Sequence, residues 1–121
     1  MGVDTKGITK NKVSWLEVFD FIKDNFDGNA THDIWNEKES ANSSYNTGFI
    51  TFNYKDEERK LMVVEVTNSN DYEDVDIEVG ALWMSFRMWG SSVEIMEKII
   101  SHFGGYVDKD DGDGIGWESY N

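Results

Sequence analysis

The sequence predicts an α+β fold, an antiparallel sheet of three to five strands with two helices packed on it, in the order α-β-β-β-α plus a C-terminal hairpin. Three observations carry that expectation. Two stretches repeat apolar residues every three or four positions behind a capping signal, the span between them alternates like strands, and the 121 residues include five Trp, seven Phe and five Tyr. That much large apolar surface is out of place in a disordered chain, and a chain of this length buries a core as one domain.

Residues 1–12 carry Gly2, Gly7 and polar residues without a period, and read as a flexible N-terminal arm before a single domain over 13–121. Ser14 and Glu17 have the spacing of a capping box, with Val13 and Val18 placed as its hydrophobic staple. Leu16, Phe19, Ile22 and Phe26 then form a helical stripe widened by Trp15, and Asp27-Gly28 is expected to close it with a left-handed glycine. Residues 29–46 are rich in Asn, Ser and Thr, and read as a long connection with room for a short strand, from which Trp35 packs onto the core.

From Gly48 the pattern is that of strands. Ile50, Phe52 and Tyr54 alternate with Phe49, Thr51 and Asn53, Lys55 to Arg59 make a charged turn, and Leu61 to Thr67 complete a hairpin. A third strand is expected from about Val75 to Met88, apolar on both faces in its second half, as in a central strand covered twice or a strand offering one face to a partner. Ser91 and Glu94 repeat the capping-box spacing, Val93, Met96, Ile100 and Phe103 make the second helical stripe, and Gly104-Gly105 end it. Tyr106-Val107 and Ile115 to Tyr120 then flank an acidic, Gly-rich loop as a final hairpin.

Charge sets the limits on function. Acidic residues outnumber basic ones 24 to 11, a net charge of −13. Such a surplus repels nucleic acid and anionic membranes and steers basic surfaces inward. The order α-β-β-β-α is that of double-stranded-RNA-binding domains, yet those place lysines at the start of the second helix, where this chain has Glu94 and Glu97. There is no Cys, which removes disulfides and thiolate chemistry, and no Pro. No apolar run approaches the ~20 residues of a membrane span, and the polar start of the chain lacks a signal peptide's apolar segment, so a cytoplasmic protein is expected.

Two acidic clusters stand out. Asp71, Glu73, Asp74, Asp76 and Glu78 enter the third strand, and Asp108, Asp110, Asp111 and Asp113 crowd the C-terminal loop. Carboxylates at alternate positions suit Ca²⁺, but counted from Asp108 position 5 of an EF-hand loop, a ligand position, is Gly112 and position 6, its glycine, is Asp113. Counted from Asp111 the glycine falls correctly on Gly116, but Ile115 takes a ligand position and the chain ends too soon. A solvated acidic turn with no bound metal is the reading that follows. The cluster entering the third strand reads as charge that keeps a sheet soluble, or, with the C-terminal cluster, Glu94 and Glu97 in one anionic face, as an imitation of a row of phosphates. The stretch Leu82 to Trp89 reads as core packing or as an exposed aromatic interface along the third strand, and in the second reading Arg87, between Phe86 and Met88, is its anchor.

Catalytic signals are lacking. Neither His32 nor His102 has a compelling nucleophile near it in sequence, and no Gly-rich phosphate loop, His-Glu-x-x-His or G-x-S-x-G occurs. The expectation is a non-enzymatic binder without cofactor, whose acidic face engages and inhibits a basic, nucleic-acid-processing protein. Its setting is that of a phage counter-defence protein mimicking nucleic acid, or of an immunity protein against a basic nuclease. Two other classes compete: a divalent-cation-responsive module built on the C-terminal loop, and a structural assembly subunit joined through the aromatic strand.

Overall fold

The computed structural model describes residues 5–68, 70, 72, 75–86, 91–108 and 117–120. Among them run β1 (Thr5–Thr9), α1 (Trp15–Asn25), β2 (Thr31–Ser40), β3 (Ser43–Tyr54), β4 (Glu57–Glu65), β5 (Leu82–Phe86), α2 (Ser91–Phe103), β6 (Gly105–Asp108) and β7 (Trp117–Tyr120). The strands form one antiparallel sheet in the order β2-β3-β4-β5-β1-β6-β7. The two helices and the antiparallel pairing agree with the sequence, but the sheet has seven strands where three to five were expected, and sheet dominates the molecule.

The largest correction concerns the N-terminal arm. Thr5–Thr9 form a buried strand between β5 and β6 rather than a loose arm. Its only bulky apolar residue is Ile8, so no strand pattern marks it. The hydrogen bonds of the Thr9 hydroxyl and close packing at Gly7 hold it instead. The buried Thr9 Oγ1 accepts the Leu82 N–H at 2.9 Å and donates to the Asn11 carbonyl at 2.9 Å. Gly7 lets α2 approach the strand, since a Cβ there would stand 2.9 Å from Met96 Cγ and 3.1 Å from Ile100 Cγ1. Beyond the strand, the Glu78 N–H donates to the Lys10 carbonyl and the Val13 N–H to the Gly80 carbonyl, tying 10–13 to 78–80.

The helix boundaries follow the sequence in part. Ser14 caps α1 with the full reciprocal box, its N–H donating to Glu17 Oε2 at 2.9 Å. Val13 and Val18 are both buried in the same cluster, as a staple requires. The C-terminus differs from expectation: Phe26 is the cap, and its N–H donates to the Ile22 carbonyl at 2.8 Å without a left-handed Gly28. The second helix ends as foreseen, with Gly104 at φ 85° donating its N–H to the Ile100 carbonyl at 2.7 Å.

Both helices lie on one face of the sheet. Val18 and Ile22 from α1, and Ile95, Met96, Ile99 and Ile100 from α2, pack on Ile50, Phe52, Leu61, Val63, Leu82, Met84, Phe86 and Val107. Complete burial of each such side chain contributes roughly 1.5–3 kcal/mol. The opposite face carries a second cluster of Ile8, Val66, Ile77 and Ala81, with Trp83, Tyr106 and Trp117 against it. Residues 75–81, expected as the first half of the third strand, are not strand but a cover laid over this face, while β5 is the doubly covered strand that its two apolar faces imply. The expected connection at 29–46 is mostly the β2–β3 hairpin, paired from Thr31↔Thr51 to Ser40↔Ser43.

The β3–β4 turn is tighter than the charged stretch implies. Lys55 and Asp56 alone make it, both at positive φ (53° and 63°), the combination that a two-residue hairpin favours because it matches the strand twist. Arg59 therefore sits inside β4 and is buried.

Candidate functional site

Of the residues singled out from the sequence, Asp76, Glu78 and Asp108 fall within the described part of the chain; Asp71, Glu73, Asp74, Arg87, Asp110, Asp111 and Asp113 lie outside it. Asp76 and Glu78 flank the buried Ile77 on the cover across the second cluster. The Asp76 N–H donates to the Tyr106 hydroxyl at 3.4 Å, and Glu78 Oε1 accepts the Lys12 N–H at 2.6 Å. Glu94 and Glu97 belong to α2 on the other face. The expected single anionic face joining these residues is thus divided by the sheet.

Asp108 corrects the sequence reading more sharply. It is fully buried at the end of β6, in register with Lys6 on one side and Trp117 on the other. A carboxylate that solvent does not reach makes no contact with a docking partner, so Asp108 leaves the candidate surface and belongs to the sheet.

The helix layer presents a different set of carboxylates. Asp20 and Asp24 are exposed on α1, and Asp56, Glu57 and Glu58 surround the β3–β4 turn. At the turn a polar cluster ties the sheet to α2. The Tyr54 hydroxyl donates to Glu94, and Lys55 Nζ stands 3.2 Å from the same carboxylate. This phenol–carboxylate bond raises the Tyr54 pKa, with loss of solvent and the Glu94 charge adding to it. The same bond, followed by Lys55, lowers the pKa of Glu94. A phenol held as a donor to a carboxylate is an anchor and not an activated nucleophile. Glu97 accepts from the Tyr120 hydroxyl at 2.7 Å, fixing α2 to the last strand in the same way.

Asp27 performs a related task after α1. Its two carboxylate oxygens accept the N–H groups of Asn53 (2.8 Å) and Asn29 (2.9 Å), and these bonds, Asn53 first, lower its pKa. The cations of this region turn toward rings: Lys23 lies over Phe19, Lys98 over Phe26 and Lys55 over Tyr54, at 5.4, 5.9 and 5.4 Å from the ring centroids. Lysines stretched across aromatic rings leave Asp20, Asp24, Asp56 and Glu58 to face solvent, while Glu57 pairs with Arg59 at 3.0 Å.

Both histidines serve packing. His32 sits 4.7 Å from the Trp15 ring and 4.8 Å from Phe19, and His102 stacks on Phe21 at 4.5 Å. Two shallow pockets meet at Glu65, one of about 230 Å³ beside Tyr45, Val66 and Tyr72, the other of about 200 Å³ beside Lys12, Trp15 and Leu82. Both fall below the ~300 Å³ at which small-molecule sites begin. Among the described residues no group of three or more His, Asp or Glu is arranged to hold a metal ion. No helix among them is long and apolar enough to cross a membrane.

The sequence reading missed the edge hairpin. Trp35, expected in the core, is 43% exposed on β2, with its Nε1–H donating to Glu37 Oε2 at 2.7 Å and its ring 6.5 Å from Phe49. The alternation of Asp33, Trp35 and Glu37 is visible in the sequence, but the polar residues around it hide the strand. No family model, curated protein or solved structure matches the chain.

Proposed function

We propose that the protein is a non-enzymatic, acidic binding protein of the cytoplasm that engages and inhibits a basic, nucleic-acid-processing protein, offering carboxylates where that partner holds phosphates. One observation carries this reading: with a net charge of −13, the exposed carboxylates stand on regular elements, Asp20 and Asp24 on α1 and Asp33 and Glu37 on β2, while nearby lysines lie across aromatic rings. Charges on helices and strands keep fixed spacings, as phosphates on a nucleic acid do. Negative potential over such a surface speeds encounter with a cationic cleft and disfavours acidic competitors.

The test is capture of partners on the tagged full-length chain at low salt, at high salt and with a chelator. The expected result is a basic nuclease, polymerase or related enzyme retained at low salt, released at high salt and indifferent to chelator, whose activity falls when the protein is added. Capture that survives high salt, or that needs a divalent cation, contradicts the proposal.

A further inference from the structure

The two ends of the sheet are unlike. β7 closes one end with four residues, whereas β2 closes the other with ten, and among the described residues β2 pairs with β3 alone. All of β2 except Ile34 is exposed. A long free edge presents a row of unpaired backbone donors and acceptors, and proteins usually blunt it with proline, lysine or a bulge. This chain has no proline, and its single β2 lysine and its bulge both fall at the far end, at Lys38 and between Lys38 and Ser40. From Thr31 to Glu37 the edge is regular and open.

Side chains on that stretch say what fits. Asp33, Trp35 and Glu37 alternate, so they share one face, and their register partners Phe49, Thr47 and Tyr45 place it on the side of the sheet away from the helices. The result is an exposed indole between two carboxylates, about 13 Å from the first to the second along the strand. An aromatic face bracketed by acids suits a cation on each side and one over the ring. A second copy of the chain fits poorly. The antiparallel pairing that lays Trp35 on its own copy sets Asp33 opposite Glu37 twice, and like charges directly opposed are destabilising.

We propose that the β2 edge takes up an extended segment of a basic protein as an added strand, its main chain pairing along Thr31–Glu37, its Arg or Lys residues meeting Asp33, Trp35 and Glu37. This rests on the acidic-binder reading above and gives it a docking geometry. Main-chain pairing supplies affinity in such strand addition, and alternate side chains supply selection.

The experiment titrates the full-length protein with an acetylated nonapeptide alternating arginine and threonine, and with the same peptide N-methylated at every residue, which keeps charge and removes hydrogen-bond donors. Binding is read by calorimetry and by amide exchange. Expected are slowed exchange in Thr31–Glu37 with the first peptide and affinity lower by about tenfold or more for the second, since several backbone bonds are lost. Asp33→Asn with Glu37→Gln should weaken the first peptide by about 3–10-fold, the range of two exposed ion pairs. Equal affinity for both peptides, binding of neither, or exchange unchanged in β2 overturns the proposal. So does a dimer in sedimentation that Trp35→Ala abolishes, since the edge then serves a second copy. Salt-sensitive capture of a basic partner at full yield by the double variant overturns the edge and leaves the acidic reading intact; absence of such capture by the unmodified protein removes that reading, and the peptides then judge the edge alone.

Discussion

Thr9 shows how a polar residue earns a place in the core of this protein. Its hydroxyl accepts from Leu82 N–H across 73 residues of sequence and donates to Asn11, so β1, β5 and the turn toward α1 meet on one oxygen. Thr9→Val keeps the shape and removes both bonds, leaving a buried N–H without its acceptor. The expected loss is about 1–3 kcal/mol in denaturant unfolding with an unchanged slope. Titration gives a second test at this scale. Glu94 and Asp27 have pKa values lowered by the hydrogen bonds they accept, from Tyr54 and from the Asn53 N–H above all. A carboxylate whose folded pKa is depressed stabilises the protein above its unfolded pKa, and that contribution is lost as pH falls through the folded one. Melting temperature should therefore drop through the acid range, and Glu94→Gln with Asp27→Asn should lower the neutral-pH value and flatten the acid drop. Tyr54 works in the opposite sense: its pKa is raised, so its contribution holds below the unfolded value and fades as alkali passes the folded one.

Among the elements, β1 supports the strongest prediction. It joins β5 to β6, in register from Thr5↔Phe86 and from Lys6↔Asp108. Deleting residues 1–10 should abolish the cooperative thermal transition, whereas a loose arm would come away with little change in Tm. The sequence hides this strand because its two inward threonines and Gly7 give no apolar alternation; what fixes Thr9 is the Leu82 N–H in β5, and what fixes Gly7 is the closeness of Met96, both distant in sequence. The helices were legible because their signals are local: Ser14 with Glu17 at the start of α1, and Gly104 after the stripe of α2. Residues 75–81 misled for a related reason. Val75, Ile77 and Ala81 are apolar because they cover Ile8 and Val66, and burial under a loop leaves the same mark as burial in a strand. At the candidate site the reverse occurred: Asp33, Trp35 and Glu37 lie on a strand exposed almost throughout, so no apolar periodicity drew attention to them.

The whole molecule is a twice-covered sheet carrying a large negative charge, with helices over one face and the 75–81 segment over the other. Because the sheet separates Asp76 and Glu78 from Glu94 and Glu97, acidic groups look outward on both sides, and the field belongs to the protein as a body more than to one cluster. That field was legible in composition alone; the placement of Asp108 inside the sheet was not, since a buried aspartate and a loop aspartate read alike in sequence. Long-range charge acts on the rate of encounter, while close contacts act on the rate of escape. The measurement that bears most directly on function is the association rate with the captured basic partner, followed from ~0.01 M to ~1 M salt, over which the screening length shrinks from ~30 Å to ~3 Å. An acidic mimic of nucleic acid predicts a rate that falls by about tenfold or more across that range, with a dissociation rate that changes far less. An association rate that stays level across the range contradicts electrostatic engagement and leaves the charge of this protein without a role in binding.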